Sequence, residues 1–311
     1  MRATRNNNDS LRSEFTVRSV LLIVVMFFAS QLVLAEADCE KGAIMSEYGL
    51  HVLEAPPGKV VYYGKDSLQY GELHLPSGKG PFPVIVMIHG GCWLAEFDMN
   101  HMRALAGAFS DKGYAVWNIE YRRVGHPGGG WPGTFLDVAA AADHVRELAK
   151  EYTLDMKQVV AVGHSAGGHL ALWLGIRHKL TSKSEIYTRN PLPLKGILAL
   201  EPGTELNLIH HNRICGHVIN GLMGGSPEEA PDHYRDASPN AQIPIGVPHT
   251  VLIGWLSGFG ILGSSYYYSA KEAGDHQVTM VEAPESGHFE MINPDTSTWP
   301  IVLRELEKLY K

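Results

Sequence analysis

The sequence predicts an α/β fold, a mostly parallel sheet covered by helices on both faces. Three observations carry that reading. Apolar, β-branched runs of strand length recur and alternate with segments of helical periodicity, as in parallel strands joined by crossover helices. Two of the runs, Pro83 to Ile88 (PVIVMI) and Val159 to Val162, are apolar throughout rather than at every second position, as strands buried on both faces are. At Val159 to Trp173 (VVAVGHSAGGHLALW) the strand run stops at Gly163 and helix formers begin at Ala166, leaving one serine on the turn.

Taken in order, Val60 to Leu75 reads as two strands about a turn at Gly64-Lys65-Asp66, an antiparallel start that suits the edge of a mixed sheet. Pro83 to Ile88 is the first buried strand. A helix is expected from Asn100 to Lys112, stopped by Gly113, and Tyr114 to Glu120 is the next strand. The glycine-rich loop Val124 to Gly133 leads into a long helix that Thr134 can cap, with Asp137 in its first turn. Pro193 to Leu200 is a strand. Residues 201–248 lack a strong period, carry short helical pieces at Ile214 to Leu222 and Pro227 to Tyr234, and read as an excursion over the site. Thr250 to Ile253 and Gln277 to Val281 are the last strands, with a helix at Ser264 to Ala273 between them and Thr298 to Tyr310 closing the chain.

With 311 residues, 45% of them hydrophobic, and a formal charge of −7, the composition is that of one large globular domain. The 26 basic residues are scattered, so no stripe exists to track a phosphate backbone and no nucleic-acid partner is expected. Arginines at positions 2, 5, 12 and 18 precede an apolar run from Val20 to Ala29 and a small-residue site ending at Ala35. Residues 1–35 therefore read as a secretory signal and the chain as secreted or periplasmic, the alternative being an uncleaved membrane anchor. Residues 36–54 are an extension, and 55–311 the folded domain. Three cysteines, Cys39, Cys92 and Cys215, allow one bridge at most and do not say which. The histidines of the excursion, including His210, His211 and His217, match no ligand spacing, so neither metal nor cofactor is expected.

Gly163, His164, Ser165, Ala166 and Gly167 fit G-x-S-x-G, in which a sharp strand-to-helix turn lifts a serine hydroxyl above the end of a sheet. Ser165 is the candidate nucleophile. His89-Gly90-Gly91-Cys92-Trp93 follows a buried strand, and His288 follows the last strand. All three segments thus fall on the carboxyl edge of a parallel sheet, where such folds bind ligands. A serine hydroxyl needs a base within reach, the role of His288. The N–H groups of Gly91, Cys92 and Ala166 are the candidate oxyanion hole.

These motifs, together with Gly128 to Val138 (GGGWPGTFLDV) and Ser286 to Pro294 (SGHFEMINP), resemble the α/β-hydrolases, and within them the HGGxW group of arylformamidases (kynurenine formamidases) and hormone-sensitive-lipase-like esterases. The resemblance implies an α/β-hydrolase fold with a central sheet of about eight strands and a cap-like excursion. It also implies hydrolysis of a small-molecule ester or activated amide through an acyl-enzyme. One departure stands out: the family's acid usually follows the penultimate strand in a pattern like G-x-x-D, and here Gly254-Trp255-Leu256 leads to Ser257. Asp275 lies at the opposite edge of the sheet, and Glu285 is only three residues from His288. Glu205, after the strand ending at Leu200, is the preferred substitute.

Three readings follow. The first is a serine hydrolase of small or medium acyl esters. The second is a formamidase, which an export signal argues against. The third is a weakened, ligand-binding member: an unsupported histidine loses roughly four orders of magnitude in serine proteases. Trp93, Trp131 and Trp255 are candidates for an apolar pocket or for core.

Overall fold

The computed structural model describes residues 53–311. The expected signal segment 1–35, most of the extension and Cys39 lie outside the described residues. Eight strands form one sheet in the order β1-β2-β4-β3-β5-β6-β7-β8. They are β1 (Lys59–Tyr62), β2 (Tyr70–His74), β3 (Phe82–Ile88), β4 (Ala115–Ile119), β5 (Leu154–His164), β6 (Gly196–Leu200), β7 (His249–Gly254) and β8 (Val278–Ala283). β1 pairs antiparallel with β2 and β2 with β4, while every pairing from β4 to β8 is parallel. The antiparallel hairpin sits at one edge, as the sequence predicts.

Period-two alternation explains why both faces carry helices. On β3, Val84, Val86 and Ile88 face a core shared with α2 (Gly133–Asp143), α3 (Val145–Glu151) and α4 (Ala166–Ile176). Ile85 and Met87 point the other way, toward Leu105, Ala106 and Phe109 of α1 (Arg103–Asp111) and toward Val302 and Leu306 of the C-terminal helix Trp299–Leu309. Each of the fully buried Val, Leu, Ile, Met and Phe side chains among them stabilises the fold by roughly 1.5–3 kcal/mol.

Several helix boundaries differ from expectation, and two of the differences have a local cause. The expected helix at 100 begins as a 3-10 turn, Met99–Met102, capped by Asp98, whose Oδ1 accepts from the N–H of Asn100 at 2.9 Å. Thr134 is not a cap: Pro132 takes that place, and the Thr134 hydroxyl donates to the Arg122 carbonyl at 2.6 Å while accepting from Gly130 N–H at 3.0 Å. Asp137 is the fifth residue of α2 and so lies beyond its first turn, where it holds the Arg122 guanidinium at 2.7 Å and ties the loop after β4 to the helix.

Between β6 and β7 run α5 (Leu206–His211), α6 (Val218–Met223), α7 (Pro231–Ala237) and a 3-10 turn, Pro239–Gln242. α5 is too short to show a period in the sequence; Leu206 and Ile209 nevertheless bury one face of it. α8 (Gly260–Glu272) follows β7, and α9 is Trp299–Leu309. Cys92 is bonded to Cys215, with Cα atoms 5.8 Å apart across a separation of 123 residues.

Candidate active site

β5 ends at His164 and α4 begins at Ala166, so Ser165 alone makes the turn, with φ 54° and ψ −118°. A residue with a Cβ holds such a conformation at a cost on the order of 1–3 kcal/mol, and only where its surroundings impose it. They do so here. Ser165 N–H donates to the Leu200 carbonyl of β6 at 2.9 Å, and its own carbonyl accepts from Gly203 at 3.1 Å. Gly163 and Gly167 admit no side chain: a Cβ on Gly163 would overlap the Gly167 carbonyl oxygen, and one on Gly167 the carbonyl of Ile88. The Ser165 hydroxyl makes no hydrogen bond among the described residues.

His288 lies on the loop after β8, its side chain 14% exposed. Three contacts fix it. Its backbone carbonyl accepts from His164 Nε2 at 2.9 Å, which ties the histidine loop to the residue before Ser165. Its ring stacks on Phe259, with centroids 4.4 Å apart. Its Nδ1 stands 3.4 Å from Oε2 of Glu201, a fully buried carboxylate. Burial, with His288 alongside, holds the pKa of His164 well below the usual imidazole range, so His164 is a neutral donor.

Glu201 is the carboxylate that the sequence reading missed. It follows Leu200, the last residue of β6, directly, with φ 47°. Its Oε1 accepts from Gly254 N–H, and its Oε2 from the Ser257 hydroxyl at 2.6 Å. Ser257, in the position where the resemblance implies an aspartate, thus donates to the carboxylate that faces His288. The signal was a glutamate at the very end of a parallel strand.

Glu205, preferred from the sequence, does not face His288. Four residues further on, it precedes α5 and lines a cavity of about 440 Å³ with Asn207, Tyr234, Ser238 and Asn240. Burial raises its carboxyl pKa, partly offset by Asn240. Glu285 accepts from the Ser297 hydroxyl at 3.2 Å. Asp275 precedes β8 and accepts from Ile245 and Gln277 N–H at 3.1 and 2.9 Å, at the far end of the sheet.

The loop after β3 meets the serine turn directly. A Cβ built on Gly90 would lie 3.0 Å from Ser165 Cβ and 2.8 Å from the His164 carbonyl. Gly91, Cys92 and Trp93 all have positive φ, at 103°, 50° and 55°. Among the described residues, the N–H groups of Gly91 and Cys92 have no acceptor. Ala166 opens α4, so no carbonyl of that helix reaches its N–H, and the helix dipole favours negative charge there. Behind the loop lies a buried network. His89 Nδ1 faces the Gly90 carbonyl at 2.7 Å, His89 Nε2 lies 3.1 Å from Glu120, and Arg123 lies 3.1 Å from the same carboxylate. Burial pulls the pKa of Glu120 upward, but His89, Arg123 and the Tyr121 N–H outweigh it and hold the carboxyl below its ordinary range.

The three tryptophans part company. Trp93 is core, edge-on to His169 at 5.4 Å. Trp131 stacks on His233 at 4.0 Å, and both meet Glu185. Trp255, following β7 directly, is 62% exposed at the rim of the sheet's carboxyl edge.

Comparison with known proteins agrees with this geometry. The family model described as BD-FAE matches residues 72–254, more than half of the chain. Esterase LipC of Mycobacterium tuberculosis is 24% identical over 250 residues, covering 75% of this chain and 60% of its own. Versiconal hemiacetal acetate esterase of Dothistroma septosporum is 29% identical over 140 residues, covering 45% of this chain and 40% of its own. The matches therefore span less than two thirds of these relatives. Among solved structures, esterase B of Lactobacillus rhamnosis superposes with a TM-score of 0.71 at 19% identity, covering 92% of this chain and 96% of that one. Thermogutta terrifontis esterase 2 gives 0.63 at 19% identity, covering 83% and 94%. At these identities the superpositions speak for the fold.

Proposed function

The chain belongs to the BD-FAE family of α/β-hydrolases, and from that premise we propose that it is a serine carboxylesterase acting on small or medium acyl esters. The observation that carries the proposal is that, at one edge of the sheet, Gly90 of the loop after β3 packs on Ser165, while the loop of His288, whose imidazole faces Glu201, is tied to the residue before that serine.

Ser165 Oγ attacks the ester carbonyl as His288 Nε2 takes its proton. Because Nδ1 is turned to Glu201, Nε2 is the nitrogen left for the serine. Glu201 fixes that tautomer and stabilises the imidazolium. The N–H groups of Gly91, Cys92 and Ala166 receive the developing oxyanion, an interaction stronger in the transition state than in the ester. His288 then returns its proton to the departing alcohol, and water repeats the sequence on the acyl-enzyme. Glu201 also counts against the weakened, ligand-binding reading, since the histidine has a carboxylate after all. The relatives carry esterase names, which favours esters over N-formyl amides.

Export belongs to the same proposal: residues 1–35 read as a signal, and a Cys92–Cys215 bridge suits an oxidising compartment. N-terminal sequencing of the mature protein, expected to begin at Glu36, checks it.

The test of the enzyme reading is hydrolysis of short-chain p-nitrophenyl esters by the chain from Glu36 onward, with Ser165→Ala as control and N-formylkynurenine assayed beside them. Turnover lost in Ser165→Ala supports the esterase, and faster release from N-formylkynurenine moves the assignment to a formamidase. Equal rates in the two proteins overturn the serine mechanism.

A further inference from the structure

The Cys92–Cys215 bridge joins the loop holding two of the proposed oxyanion donors to the segment between α5 and α6. The inference drawn from it rests on the esterase reading above. Cys92 and Trp93 both sit at positive φ, which residues with a Cβ rarely hold without outside constraint. Most of that loop has such constraint. Leu94 N–H returns to the Gly91 carbonyl, Val124 N–H binds the Trp93 carbonyl, both at 2.9 Å, and the Trp93 ring is buried. Cys92 differs. Its N–H has no acceptor among the described residues, and the sulfur of Cys215 is its covalent anchor. On the other side Cys215 is itself at φ 62°, in a turn closed by Ile214 N–H on the Ile209 carbonyl at 3.0 Å and Gly216 N–H on the Arg213 carbonyl at 2.8 Å. Ile209 before that turn and Val218, Ile219 and Leu222 after it are buried in the main core.

We propose that Cys215 is a positioning residue for the oxyanion hole, holding the Cys92 N–H on the developing charge through the bridge, and that reducing the bridge lowers turnover. Cys215 touches no reacting atom and acts through Cys92. Opening the bridge is a two-electron reduction. A small dithiol supplies two electrons and two protons, each sulfur becomes a thiol, and the dithiol closes to its own cyclic disulfide. The interaction lost is one made in the transition state, so kcat falls while KM stays. A bridge that only fastened the excursion over a substrate pocket would act on KM instead.

The test reduces the native protein with dithiothreitol, blocks the thiols by alkylation, and compares kcat and KM for p-nitrophenyl acetate with the oxidised protein and with Cys215→Ala. A second reduced sample, not alkylated, is reoxidised in air. The expected result is a fall in kcat of about ten- to a hundredfold with KM within about twofold. An alkyl boronic acid, whose tetrahedral serine adduct places an oxygen in the hole, should lose affinity by a similar factor. Reoxidation should restore activity, and dithiothreitol should not change Cys215→Ala further. Circular dichroism shows whether Cys215→Ala is folded; if it is not, the reduced and reoxidised native samples decide the matter. Free thiols at Cys92 and Cys215 in the untreated protein, an unchanged kcat after complete alkylation, or a rise in KM alone would each overturn the proposal. Failure of the esterase reading is distinct from these, since it shows as activity surviving in Ser165→Ala.

Discussion

Ser257 donates its hydroxyl to Glu201 Oε2 across 2.6 Å, and the same oxygen stands 3.4 Å from His288 Nδ1. β6 and β7 are neighbours in register, Leu200 opposite Leu252. A carboxylate at the end of β6 therefore reaches the imidazole from the strand beside the one that usually supplies it, and the vacated position provides a donor that orients it. The Gly254 N–H on Oε1 completes the cradle.

If Glu201 orients His288, Glu201→Gln should keep the shape of the site and lose the tautomer control, lowering kcat by about three to four orders of magnitude. Glu205→Gln, altered at the cavity beyond, should leave kcat/KM within about threefold. Steady-state kinetics on p-nitrophenyl butyrate separates the two. Equal losses would return Glu205 to the triad.

Ser257→Asp restores the family's usual residue, and without Glu201 in view it ought to raise activity. With Glu201 in place it sets a second carboxylate against the first in a buried site, where both cannot ionise freely. The expected outcome is a lower rate at pH 7 and reduced thermal stability. The double variant Glu201→Gln/Ser257→Asp should recover part of the loss of Glu201→Gln. Measured kcat for the three proteins decides, and a rate above wild type in Ser257→Asp alone would contradict this account.

What the sequence discloses and what it hides divide along a physical line. Ser165 and the Gly90-Gly91 loop are legible because each follows a buried strand and carries glycines where a Cβ cannot fit, and His288 because it follows the last strand within the resembling run SGHFEMINP. Glu201 has its position at the end of a strand but no glycine signature around it, so what singles it out from the excursion that follows is contact with Gly254, Ser257 and His288, over fifty residues away. The Cys92–Cys215 bridge is hidden for the same reason: pairing depends on where the excursion returns in space. α5 escaped because six residues are too few to display a helical period.

The glycines of the serine turn give a stability test with an internal contrast. A Cβ on Gly167 would overlap the backbone carbonyls of Ile88 and His89, which cannot swing aside as a flexible side chain can. Gly167→Ala should destabilise by about 3 kcal/mol and distort the loop that carries Gly91. Gly107, inside α1, has nothing within 4 Å of its Cβ direction, so Gly107→Ala should gain up to about 1 kcal/mol with activity unchanged. Urea unfolding midpoints of the two variants test both signs.

Acid should unfold this protein through its buried neutral histidines. Burial is the main cause in each case: it lowers the pKa of His101 to about 3, aided by His89, that of His169 to about 4, and that of His164 well below the usual range. In the unfolded chain all three titrate near the ordinary imidazole value of about 6.5. Above that value neither state binds the proton and the full stability is present. As the pH falls below it, the unfolded chain gains protons that the folded one refuses, and stability declines until each folded pKa is passed. For His169 alone the loss reaches roughly 3 kcal/mol once the pH is below about 4. Urea midpoints should therefore be flat from pH 8 to 7 and fall steadily from pH 6.5 to 4.5. His169→Gln retains a donor for the Ala237 carbonyl, which His169 Nε2 meets at 3.0 Å, but cannot titrate, so its midpoint should fall less steeply. A slope identical to wild type would show that His169 is not among the groups that couple protons to folding.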